Sequence, residues 1–177
     1  MKKLILILFL ITIHHSFYAQ SSEKISSEIR SEVDKIKSEN KKAEKTVRDP
    51  YYEIKITKYG TNLIEYNRIY KNYYHFNQTY LVKDDFINYL HDKGQSAKVS
   101  SGKVNENASY GDLFEIEYYF IDKNKGYKYE KRVPLYKGNN VLEKQKELEK
   151  LEYTITEIDN SDYNSIYKFY SIYVKDK

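Results

Sequence analysis

From Tyr51 onward the chain breaks into short runs of Tyr, Ile, Phe and Val separated by gaps bearing Gly, Asn and Asp. Aromatic and β-branched runs closed by turn residues favour strands joined as hairpins. Tyr51–Lys58, Asn62–Tyr70 and Tyr73–Val82 read as three strands, with turns at Tyr59-Gly60-Thr61-Asn62 and Lys71-Asn72. Asp84 then reads as the cap of a short helix carrying Phe86, Ile87 and Leu90 and ended by Gly94. Gln95–Gly111, polar and rich in Ser, Asn and Gly, reads as a long loop with one short edge strand around Val99.

Leu113–Asp122 and Tyr127–Tyr136 form the clearest hairpin. Like charges directly opposite each other are unfavourable. This disfavours pairing Ile116 with Lys131, which sets Glu117 against Glu130, and selects Ile116 with Val133, Phe114 with Leu135 and Glu117 with Arg132. Asn140 and Glu143, at capping-box spacing, open a helix to about Leu151. Strands Glu152–Ile158 and Ser165–Lys175 close the chain across Asp159-Asn160-Ser161-Asp162. The expected fold is α+β: an antiparallel sheet of about seven strands built from hairpins, with helices packed on one face.

Before Tyr51 the composition differs. Lys2-Lys3, an apolar run from Leu4 to Ile13 and a small residue at Ala19 form a secretory signal pattern over residues 1–19. The run is about half the length a spanning helix needs. The expected location is therefore secreted or periplasmic, with no stable membrane insertion after cleavage. Residues 20–49 read as a charged amphipathic helix or stalk: Ile25, Ile29, Val33 and Ile36 recur at helical spacing, followed by Ala43 and Val47. Asp49-Pro50 stops it, because proline disfavours the helical conformation in the residue before it. A helix over 21–47 could also serve as an oligomerisation arm. Residues 50–177 form the tyrosine-rich domain.

No cysteine is present, which excludes disulfides, thiol catalysis and cysteine-ligated metals. An exported domain of this kind depends on its hydrophobic core. The formal net charge is +4, and Lys2 and Lys3 leave with the signal. What remains is mixed in sign, with no basic stripe of the kind nucleic acids require.

His75 and His91 lack the paired neighbours of a metal site, and no cofactor is expected. Asp122-Lys123-Asn124-Lys125-Gly126 matches the start of a calcium loop imperfectly, and a hairpin turn accounts for it. No nucleophile elbow or glycine-rich phosphate loop occurs.

The unusual feature is 21 tyrosines without a tryptophan. Adjacent pairs such as Tyr51-Tyr52, Tyr73-Tyr74 and Tyr118-Tyr119 place an aromatic on both faces of a strand. One reading is display toward a protein or glycan partner, with Tyr52, Tyr74, Tyr119 and Tyr129 as binding candidates. The other is that tyrosine replaces Phe and Leu as the strand residue. The leading functional expectation is a small exported, non-catalytic binding or inhibitor-like module. Its alternatives are an extracytoplasmic hydrolase using His75 or His91, and an envelope structural or interaction protein.

Overall fold

The structure, a computed structural model, describes residues 22–70, 75–97 and 111–175. The expected signal segment, the expected Lys71-Asn72 turn, Tyr74 and most of the expected loop, with its edge strand around Val99, lie outside them. The described residues form helix α1 (22–39), seven strands, helix α2 (Val141–Lys150), strand β8 (Thr154–Ile158) and helix α3 (Asn160–Tyr173). The seven strands are β1 (Lys42–Arg48), β2 (Tyr52–Tyr59), β3 (Leu63–Tyr70), β4 (His75–Lys83), β5 (Phe86–Ala97), β6 (Gly111–Asp122) and β7 (Lys125–Leu135). All eight strands pair antiparallel in sequence order, so the fold is α+β around one meander sheet.

Several expectations change. The N-terminal helix does not reach Val47. Asn40 ends it by donating its side-chain amide to the Ile36 carbonyl, and Lys42–Arg48 becomes an edge strand against β2. That strand is exposed throughout and carries lysines and an arginine, which guard an edge against further pairing. Phe86, Ile87 and Leu90 lie on β5 and not on a short helix. Asp84 and Asp85 have φ of 49° and 61°, so they make a two-residue hairpin turn of the kind whose backbone twist matches the right-handed twist of the flanking strands.

The β6–β7 register follows neither of the pairings weighed from the sequence. Ile116 faces Glu130, Glu117 faces Tyr129 and Glu115 faces Lys131. The turn takes only Lys123-Asn124, the Asn124 amide donates to the Asp122 carboxylate at 2.7 Å, and a bulge lies between Phe120 and Asp122. One extra residue in a strand reverses which side chains share a face.

Ser165–Lys175, expected as a strand, belongs to α3 and its C-terminal end. Asp159 and Asp162 form a reciprocal capping box at its start. Tyr163, Tyr170 and Val174 are buried along one side of the segment, at intervals that a helix places on one stripe.

The helices cover both faces of the sheet, not one. Strand neighbours point to opposite sides. Ile64, Tyr66, Tyr80, Val82 and Phe120 pack with Tyr163 and Tyr170 of α3. On the other side Leu63, Leu81, Tyr89, Tyr119, Tyr127 and Tyr129 pack with Val33, and Ile25, Ile29 and Ile36 of α1 join them. The same side carries Leu113, Val133 and Leu135 under Leu148 of α2. Two helices thus share one face, each over a different end, and the sheet between them stays open.

Candidate functional site

Pairing register lays out the α1/α2 face as a grid. Under α1 lie Tyr59, Leu63, Leu81, Tyr89, Tyr119 and Tyr127. The next row is Thr57, Glu65, Thr79, His91, Glu117 and Tyr129, and the next Lys55, Asn67, Asn77, Lys93, Glu115 and Lys131. Toward α2 come Glu53, Ile69, His75, Gln95, Leu113 and Val133.

Beneath and beside α1 the charged groups satisfy one another, although the buried Tyr129 hydroxyl has no hydrogen-bond partner among the described residues. Arg30 donates to both Glu117 and the Tyr119 hydroxyl, the latter at 2.9 Å. Tyr119 and Tyr89 donate their hydroxyls to the same carboxylate, at 2.7 and 3.1 Å. Burial, reinforced by the charge of Glu117, holds both tyrosine hydroxyls well above the ordinary phenol range. Lys37 pairs with Glu65 at 2.8 Å. In the next row Glu115 accepts from His91 Nε2 at 2.9 Å and from Lys131 at 3.0 Å. The His91 bond, against a burial penalty and helped by Lys131, brings the Glu115 carboxyl down to about 2.

Toward α2 the pattern reverses. A cleft of about 410 Å³ opens between that helix and β2–β6, a volume in the range of small-ligand sites. Val141, Gln145 and Leu148 line it from α2, at intervals of four and three that share one helical face. Ile69 and Leu113 supply apolar wall, and His75, Asn67, Asn77, Lys93 and Gln95 supply polar floor. Among the described residues, the side chains of His75, Asn67, Asn77, Lys93, Gln95 and Gln145 make no hydrogen bond or ion pair. The cleft's other charged groups are engaged at its far rim: Lys55 with Glu44 and Glu53 with Arg48, each at 3.2 Å. Ile69 and Val141, both about two-fifths exposed, present bare apolar surface at the mouth.

The tyrosines named from the sequence are elsewhere. Tyr119 is fully buried and Tyr129 is 5% exposed. Glu115 and Glu117, on the same strand face as Tyr119, are the partners of Arg30, His91 and Lys131. Tyr52 is half-buried and edge-on to Tyr70 at 5.9 Å, with the Arg68 guanidinium 4.5 Å from its ring centre. Tyr74 lies outside the described residues. The structure therefore does not gather these four into a surface. Sequence reading passed over Asn67, Lys93 and Gln145, which no motif marks, and gave no role to Asn77, which it meets only as the start of the glycosylation sequon Asn77-Gln78-Thr79; strand alternation and the α2 spacing are the signals they leave for this cleft.

His91 is not at a helix end but within β5, opposite Glu117 and bonded to Glu115. Among the described residues no group of His, Asp and Glu has the geometry of a metal site, and no helix is long and apolar enough to cross a membrane. No protein-family model, curated protein or solved structure matches this chain.

Proposed function

We propose that this is an exported binding module whose ligand enters the cleft between α2 and the sheet. The carrying observation is the contrast across one sheet face. The charged side chains of the sheet beside α1 are paired, whereas the polar ones under α2 are left with free donors and acceptors in a concave, partly apolar space. Polar groups placed around an apolar wall are what orient a bound ligand. Side-chain amides offer a donor and an acceptor each, which suits a hydroxyl-bearing glycan or the backbone of an extended peptide. The tyrosines contribute the rigid core beneath the site and do not meet the ligand themselves. Export rests on the signal pattern of residues 1–19. No oligomer is required, since the apolar stripe of α1 faces its own sheet.

The test is a printed array of oligosaccharides and peptides probed with the wild-type protein and with Asn77→Leu. Signals lost in the variant support the cleft. Signals equal in both proteins place binding elsewhere and contradict it.

A hydrolase is the second reading, favoured by the His91–Glu115 pair beside a smaller hollow of about 190 Å³ lined by Thr79, Tyr89 and Arg30. A carboxylate orienting an imidazole is how a general base is commonly held. Hydrolysis of any array ligand that is abolished by His91→Ala, with the fold intact, would favour it.

A further inference from the structure

The cleft carries a surplus positive charge. Lys93 lies on its floor, flanked across the ladder by Asn77 on β4 and Glu115 on β6. Glu115 could neutralise it, but that carboxylate already serves His91 and Lys131. Two lysines therefore share one carboxylate, and only Lys131 pairs with it. Lys131 is 9% exposed and also lies 4.7 Å above the Tyr153 ring, so it is fixed in place. Glu53, the acid that does line the cleft, stands three strands away on β2 and is held by Arg48. At a strand spacing of about 4.8 Å that is roughly 14 Å, beyond the Debye length at physiological salt.

Around this cation the cleft is lined by uncommitted amides, Asn67, Asn77 and Gln95 from the floor and Gln145 from α2, together with the apolar Leu148. We infer that the cleft takes a sugar acid: a carboxylate at Lys93, ring hydroxyls on the amides, and the C–H face of the ring against the apolar wall by Leu148. This rests on the cleft being the binding site. An acidic peptide would satisfy Lys93 equally. It would not explain the paired Asn67 and Asn77 with further amides in the same cleft, which match vicinal hydroxyls better than the single carbonyl and N–H of one peptide unit. The chemistry is the same whether the sugar acid is free or the end of a polysaccharide.

The experiment titrates the purified protein, at low salt, with three probes: a uronate monosaccharide, a disaccharide of uronate and neutral hexose, and the neutral disaccharide of the same linkage. Wild type and Lys93→Met are compared by calorimetry. The expected result is that the acidic disaccharide binds about tenfold or more tighter than the neutral one, that added salt narrows the gap, and that Lys93→Met removes it. Binding of the monosaccharide at similar strength points to the free sugar, and its loss to a polysaccharide end; both support the class. Equal binding of acidic and neutral disaccharides, unchanged by Lys93→Met, overturns the acid while leaving the cleft as a glycan site. Binding of array peptides through Asn77, with none of the three sugars bound, overturns the sugar and leaves the cleft. No cleft-dependent binding of any probe overturns both.

Discussion

Lys93 stands directly opposite Glu115 across the β5–β6 ladder, yet Glu115 holds His91 at 2.9 Å and Lys131 at 3.0 Å. Of the two lysines beside one carboxylate, one is a buried structural partner and the other faces the cleft. Substituting each should separate stability from binding.

Lys131→Met removes a cation that is 9% exposed and leaves Glu115 with His91 alone. The expected loss is about 2 kcal/mol, typical of a truncated buried charge-assisted bond. Lys93→Met removes the surplus charge and should change stability by less than about 0.5 kcal/mol. Urea unfolding of the two variants reads the difference directly. Equal destabilisation would show that Lys93, too, is a structural partner.

Glu117→Ala should release α1. The carboxylate is 7% exposed at its side chain, and its loss strands Arg30 and the hydroxyls of Tyr89 and Tyr119. Breaking such a pair from its buried side costs about 3 kcal/mol, somewhat less here because Arg30 is nearly half exposed. Hydrogen exchange should rise through α1 while α3 stays protected. Exchange unchanged in α1 would mean that Ile25, Ile29 and Val33 suffice to hold it.

Two carboxyls should shape the pH dependence in opposite directions. Glu115 is lowered to about 2 by its His91 bond and by Lys131, against burial. The unfolded chain therefore takes up its proton first, and this stability is lost as pH falls from the ordinary carboxyl range toward 2. Asp92 points to the opposite face, and burial raises it from 3.8 to about 6, although Gln78 donates to it at 3.2 Å. There the folded protein keeps the proton longer, so stability falls as pH rises from about 4 to about 6. Asp92→Asn should stabilise the protein by about 3 kcal/mol at pH 7 and by only about 0.5 kcal/mol at pH 4. Denaturant midpoints at the two pH values test this; an equal gain at both would remove titration as the cause.

Gly94→Ala should loosen the floor of the cleft. A Cβ at this position would come 2.5 Å from the His75 carbonyl oxygen and 3.3 Å from the Phe114 ring. The backbone contact cannot be relieved by a side-chain rotation, so β4 and β5 must separate locally at a cost of about 1–3 kcal/mol. Amide shifts centred on residues 75–77 and 93–95 are the expected signature. A variant with wild-type stability and spectra would mean that the strand pair has room to spare.

How much of this was legible beforehand depends on what each residue pattern distinguishes. The β6–β7 hairpin shows in its alternation, as do the limits of β2 and β3 to within a residue, because strand propensity and turn residues agree there. Its register does not, because the bulge after Phe120 is set by turn geometry that no charge pairing reveals. Tyrosine itself misleads at Ser165–Lys175, where Tyr163, Ile166, Tyr170 and Val174 fit a helix while Ile166, Tyr170 and Ile172 also fit a strand; only the Asp159–Asp162 capping box decides. Asp84-Asp85 misleads for the opposite reason, since acids begin helices and also tolerate the positive φ of a tight hairpin. The cleft was hidden because its members come from five strands and α2, and each is an ordinary residue until pairing places them together.

The most direct measurement of the central claim is an amide NMR titration of the wild-type protein with the acidic disaccharide. Shifts confined to Asn67, Asn77, Lys93, Gln145 and their strand neighbours are the expected result. Saturable binding that leaves those amides unmoved while shifting β1 or α3, or no binding by any member of the oligosaccharide and peptide array, would contradict it.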